Sequence, residues 1–114
     1  MQQTDSLRSL PAARKRVGRV AFNRNELREL LNEYSRRVAS GEWRDYAIDF
    51  KRDRAVFSVF RHTAEHPLYS IEKLPGKGGG TWRLRRGPER LKHSGSLSDV
   101  LAAIERRPKL IAIN

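Results

Sequence analysis

Apolar residues recur at helical spacing between residues 27 and 38, which predicts an amphipathic helix. Asn23 is a suitable N-cap, Glu26 stands where it can reach back to the cap amide, and Gly41 is placed to end the helix. Phe22 and Leu27 flank the cap as a hydrophobic staple would. The intervening charged residues predict an ordinary solvated face. The predicted core-facing residues are Leu27, Leu30, Leu31, Tyr34 and Val38.

After Trp43 the period changes to two, which predicts strands. Tyr46, Ile48 and Phe50 alternate with polar or small residues, as in a half-buried strand. Further strand-like segments are 55–62, 68–74, 81–86 and 89–93, separated by turns at 52–53, 65–67 and 87–88 and by a glycine-rich loop at 75–80. Because these links are short, the segments predict an antiparallel meander.

A second helix is predicted after Ser96, which can cap it with Asp99 in the reciprocal position, and Pro108 stops it. The apolar run at 109–113 predicts a short last strand. The fold class is therefore α+β: an antiparallel β-meander of about five to six strands with two helices packed on one face. Residues 1–20 predict a disordered basic tail, and residues 21–114 a single domain.

The positive charge is concentrated in two segments. The chain has 114 residues and a formal net charge of +11; residues 1–22 contribute +4, residues 73–93 contribute +6, and the rest only +1. Clustered charge creates a local potential that dispersed charge does not. The pattern therefore favours a binding site for a polyanion, nucleic acid above all.

The best candidate site is the basic meander. If Trp82, Leu84 and Leu91 face the helices, then Arg83, Arg85, Arg90 and Lys92 project from the opposite face, with Ser70 and Glu72 partly tempering the charge. Such a patch would contact phosphates with little sequence discrimination. The alternative is that this strand face carries arginine only because it is exposed to solvent, with no binding role. The predicted nucleic-acid-binding residues are Arg83, Arg85, Arg86, Arg90, Lys92 and Lys77, with Arg14, Lys15 and Arg16 of the tail.

No catalytic, metal or cofactor motif is evident in the sequence. There is no cysteine, and His62, His66 and His93 do not form a ligand set by spacing. We therefore expect no enzyme activity, no cofactor and no metal. Aromatic side chains would sharpen RNA binding if exposed, but their positions also fit a core, which is the favoured interpretation. These aromatic residues are Trp43, Trp82, Phe57 and Phe60.

A second functional hypothesis is a protein-interaction module. In it, the exposed sheet face or an edge strand docks an acidic protein partner. No apolar run approaches the length of a membrane span, so we expect a cytoplasmic protein without a membrane partner.

Three segments resemble a protein family: residues 41–50 (GEWRDYAIDF), 53–61 (DRAVFSVFR) and 67–73 (PLYSIEK). The sequence is similar to a family of short bacterial proteins known only as a domain of unknown function. The resemblance extends from about Phe22 through the second predicted helix. It implies a bacterial, cytoplasmic setting and carries no activity, cofactor or site residue with it.

Overall fold

Five strands and two α-helices make up the fold of the described residues. The computed structural model describes residues 20–62 and 66–105. The elements are α1 (Arg24–Ala39), β1 (Asp45–Phe50), β2 (Ala55–Phe60), β3 (Tyr69–Leu74), β4 (Thr81–Arg86), β5 (Glu89–Ser94) and α2 (Leu97–Glu105). The predicted α+β class is confirmed. Except for Val20, the predicted tail over 1–20 lies outside the described residues, as does the predicted strand over 109–113.

The strands form one antiparallel sheet in the order β1-β2-β3-β4-β5, so the predicted meander is confirmed. The first three pairings keep an unbroken register, with Ile48 opposite Phe57 and Phe57 opposite Ile71. The β4–β5 pairing contains a bulge after Leu84. Gly87 takes φ = 62° in the two-residue turn between them, a left-handed conformation that such hairpin turns require.

Helix α1 begins at the predicted cap. The Asn23 side chain accepts from the Glu26 amide and the Glu26 carboxylate from the Asn23 amide, each at 2.8 Å, so the capping box is confirmed. Two predictions about the core-facing side of α1 were wrong. Val38 is 41% exposed, whereas Glu33 and Arg37 are buried as an ion pair of 2.7 Å. A charge neutralised by its neighbour can occupy a buried helix position.

Both helices pack on the same face of the sheet, called here the helix face. Phe22, just before α1, stacks on Trp82 with ring centroids 6.0 Å apart and tilts against Phe50 at 6.1 Å. From α2, Val100 and Ile104 enter the same core. The remaining buried apolar residues of this core are Leu30, Trp43, Phe57, Val59, Tyr69, Ile71, Leu84, Leu97 and Leu101.

Ser96 caps α2 by accepting from the Asp99 amide at 3.4 Å, but Asp99 does not complete the predicted reciprocal bond. Its carboxylate instead accepts from the Ser94 hydroxyl at 2.8 Å, which ties the helix start to the end of β5. Within the described residues, neither helix has the length and apolar character that crossing a bilayer requires.

Candidate nucleic-acid interface

The β4–β5 hairpin places two arginines side by side. The sheet face opposite the helices is called here the far face. Arg85 and Arg90 are directly opposed across the two strands, and alternation from the buried Trp82 and Leu84 puts Arg85 on the far face. Opposed residues on antiparallel strands have Cα atoms about 5 Å apart, so the two guanidinium groups share one surface. Arg85 is half-buried and donates from Nε to the Gly87 carbonyl at 3.4 Å, and Arg90 is exposed.

The bulge changes which side chains flank this pair. Lys92 is opposite Leu84, a core residue, and His93 is opposite Arg83. The expectation that Lys92 shares a face with Arg83 was therefore wrong, because the extra residue at the bulge shifts the alternation by one. Leu91 packs against the core as predicted. The exposed His93 takes the position beside Arg83; the sequence had drawn attention to it only as a possible metal ligand.

Arg83 is held by a buried carboxylate. Its Nε and Nη2 both lie 2.6 Å from Glu72 Oε1, and only 14% of its side chain is exposed. Arg54 Nε lies 3.6 Å from the other Glu72 oxygen and, within the described part of the chain, makes no hydrogen bond. The tempering effect expected of Glu72 is thus a direct ion pair. It removes Arg83 from the cations that are open to a ligand.

Other basic residues of the segment differ in accessibility. Lys73 is buried on the helix face, where its Nζ lies 2.8 Å from Glu26 Oε1. Arg86 approaches Glu89 at 3.8 Å with 36% of its side chain exposed. Lys77 is exposed on the short 3-10 helix Lys77–Gly79 of the glycine-rich loop. The accessible positive charge of the hairpin therefore lies near its turn, at Arg85, Arg86 and Arg90, while Lys77 is separate in the β3–β4 loop.

The center of the far face is packed rather than open. Val56 and Ser58 of β2 are buried there together with Glu72. At the opposite edge, Asp45 and Asp49 of β1 are exposed. The far face consequently carries two exposed carboxylates at the β1 edge, is closed at its center and is basic at the β5 edge.

The aromatic residues follow the core interpretation with one difference. Trp43, Trp82 and Phe57 are at most 3% exposed, and Phe60 is half-buried. The exposed aromatic side chains are instead Tyr46 and Phe50, which the alternating pattern had assigned to the buried side of β1. An edge strand has a neighbour on one side only, so its core-directed residues stay partly wet.

Arg14, Lys15 and Arg16 lie outside the described residues. Among residues 20–62 and 66–105, no three His, Asp or Glu side chains converge as a metal site would need.

Comparison with known proteins identifies one relationship. No curated protein and no solved structure matches the chain. The profile of one family matches residues 20–86, from the residue before the α1 cap segment to the end of β4. This span is more than half of the chain and includes all three segments that carried the resemblance. The chain therefore belongs to the family described as "Protein of unknown function (DUF2794)".

Proposed function

We propose that this protein binds nucleic acid, without catalysis, through phosphate contacts made by the outer part of the β4–β5 hairpin. The observation that carries the proposal is the direct opposition of Arg85 and Arg90 at the edge of the sheet. A bacterial, cytoplasmic setting is part of the same proposal. It rests on the kinship implied by the sequence resemblance.

Two arginines at directly opposed positions, with Cα atoms about 5 Å apart, can contact neighbouring phosphates of one strand or bracket a single phosphate. Arginine suits this role because its planar fork donates two parallel hydrogen bonds to phosphate oxygens. Arg86 follows Arg85 directly on β4 and adds positive potential beside the pair, whereas Lys92 on the helix face and Lys77 in the β3–β4 loop contribute from a greater distance. Phosphate contacts position a protein without reading bases, so we expect little sequence discrimination.

Arg83 has a different role in this proposal. Its ion pair with Glu72 links β4 to β3 and so stabilises the hairpin. The phosphate contacts are made by Arg85 and Arg90. The basic residues Arg14, Lys15 and Arg16 add affinity as a non-specific second contact.

The test is fluorescence anisotropy with labelled single-stranded RNA, duplex RNA and duplex DNA across a salt series. We expect micromolar or tighter binding to at least one ligand, with a log–log salt slope on the order of −3 to −5. The double variant Arg85→Glu/Arg90→Glu should weaken binding by at least about a hundredfold, since two phosphate contacts become repulsions.

The matched control is Arg24→Glu/Arg28→Glu, which makes the same change in net charge on the exposed surface of α1. If both variants weaken binding equally, net charge alone drives association and the hairpin is not the site. If none of the three nucleic acids binds at low salt, the proposal fails. Binding of an acidic protein at the same arginines would then favour the interaction-module hypothesis.

A further inference from the structure

The two edges of the sheet are built differently. The β5 edge is interrupted by a bulge, follows Pro88 and carries Arg90 and Lys92, features that discourage pairing with another strand. The β1 edge has neither bulge nor proline, and all six of its residues pair in register with β2. Five of those six residues are exposed. In the described part of the chain no strand covers the outer edge of β1.

The backbone of β1 directs unpaired groups outward. The Lys51 amide donates to the Arg54 carbonyl at 2.8 Å, which sets the alternation along the hairpin. The backbone groups of Tyr46, Ile48 and Phe50 consequently point away from β2. The Tyr46 amide fits this direction, because it donates to the carboxylate of neighbouring Asp45 at 2.8 Å rather than to β2.

The same three residues carry the apolar side chains of β1. Tyr46 is 39% exposed and Phe50 is 47% exposed, with the half-buried Ile48 between them. Their inner surfaces are ordered by the core: Tyr46 stacks on Phe57 at 5.2 Å. Their outer surfaces form an apolar strip directly beside the unpaired backbone. Apolar strips of this kind, bordered by polar residues, are typical of interaction sites.

We infer that β1 is a self-association surface, which pairs antiparallel with β1 of a second copy to give a continuous ten-stranded sheet. In the register centered on Ile48, that residue meets its own copy and Tyr46 meets Phe50 of the second copy. Asp45 then lies opposite Lys51 of the second copy. In the dimer, the Asp45 carboxylate pairs with this lysine and no longer accepts from the Tyr46 amide. The freed amide donates to a backbone carbonyl of the second copy.

Charge complementarity selects this register and this occupant. The two neighbouring registers that keep the apolar side chains of both copies on the same face differ by a shift of two residues. One of them places Asp45 opposite Asp49 of the second copy, and the other places Asp49 opposite Asp49. Like charges directly opposed destabilise a strand pair. Residues 42–54 carry four acidic and four basic side chains, so this edge is neutral despite the net charge of +11. The basic hairpin lies about 19 Å away, across the sheet.

The first measurement is sedimentation velocity of the full chain over a range of concentrations at physiological salt. One strand pair with three apolar side chains buries less than about 1,200 Å², so we expect a weak dimer with a dissociation constant on the order of 10 μM. The mass should rise from 13.2 kDa toward twice that value. A chain that stays monomeric at roughly a hundred times that constant overturns the inference.

Charge reversal tests the register. Asp45→Lys or Lys51→Asp each creates two repulsive pairs per dimer and should weaken association about tenfold. The double variant Asp45→Lys/Lys51→Asp should restore it. Both residues are exposed, so the fold is retained in all three variants. A dimer that is indifferent to the single reversals, or that the double variant does not restore, overturns the inferred pairing.

Because the chain has no cysteine, a cross-link gives an independent readout. Ile48→Cys places two thiols across the proposed axis, within the Cα separation that a disulfide spans. Mild oxidation should convert most of this variant to a covalent dimer. His93→Cys, at an exposed position of the β5 edge, is the matched control. Equal cross-linking of the two variants would show random collision and overturn the inference.

Discussion

Glu26 of α1 and Lys73 of β3 are 47 residues apart in the chain and form an ion pair of 2.8 Å between Oε1 and Nζ. The same carboxylate oxygen accepts from the Asn23 amide at 2.8 Å, and the Lys73 ammonium also donates to the Ala21 carbonyl at 2.9 Å. One carboxylate thus closes the helix cap and fastens it to the middle of the sheet. Because both partners are largely buried, removing either leaves the other without compensation.

Lys73→Ala should therefore lower the free energy of unfolding by about 3 kcal/mol, since Glu26 loses its buried partner. Urea unfolding measures this loss. The control Lys77→Ala removes an exposed lysine from the neighbouring loop and should change the free energy by less than about 0.5 kcal/mol. Similar losses in both variants would contradict the structural role of the Lys73–Glu26 pair.

The Glu72–Arg83 pair predicts a separation between stability and binding. Arg83→Glu would place two buried carboxylates together and should destabilise the fold by about 3 kcal/mol. Arg85 lies two residues further along β4, and Arg85→Glu should change the free energy of unfolding by less than about 0.5 kcal/mol relative to wild type. Thermal unfolding of both variants checks the ranking. An Arg83→Glu protein as stable as wild type would show that Glu72 has other compensation.

Gly80 is the most constrained residue of the glycine-rich loop. It has φ = 116°, and a Cβ there would lie 2.7 Å from the Leu74 carbonyl oxygen. Gly80→Ala should cost about 3 kcal/mol, because backbone must move to relieve the clash. Gly78 has φ = 67° and open space around it, so Gly78→Ala should cost only about 1 kcal/mol. Equal urea midpoints for the two variants would contradict this difference.

Tyr34 predicts a loss of stability at alkaline pH. Burial raises the pKa of its phenol, and the negative charge of Asp45 and the neighbouring Tyr46 raise it further. In the folded state the phenol therefore ionises at a higher pH than the unfolded value of 10. Its contribution to the free energy of unfolding is fully present below pH 10 and is lost as the pH rises through the folded-state pKa. Urea midpoints measured across that range should fall less steeply for Tyr34→Phe than for wild type. Identical slopes would show that Tyr34 does not contribute.

Local patterns were sufficient to predict the elements. The cap at Asn23 and Glu26 depends on residues three apart, and the alternation of β1 depends on its own six positions, so neighbouring residues contain the necessary information. The bulge beside Leu84 was not predictable in this way. It depends on how β5 packs against β4, and it moved Lys92 to a different face from the one expected.

The candidate site was predictable in location and less so in composition. Charge counting identified the β4–β5 segment, but Lys73 and Arg83 contributed to that count and are paired with Glu26 and Glu72. These pairs join elements that are distant in the chain or opposed across strands, so no local window reveals them. Burial of Glu33 and Arg37 escaped prediction for a related reason, because each makes the other acceptable inside.

Separation of charge across the sheet has a kinetic consequence. The neutral β1 edge and the basic β5 edge, which carries Arg90 about 19 Å away across the sheet, give the domain a permanent electric dipole along the direction of strand pairing. The electric field of any polyanion exerts a torque on this dipole, which turns the β5 edge toward the polyanion before contact. Orientation during approach raises the fraction of productive collisions, and dissolved salt shortens the distance over which it acts.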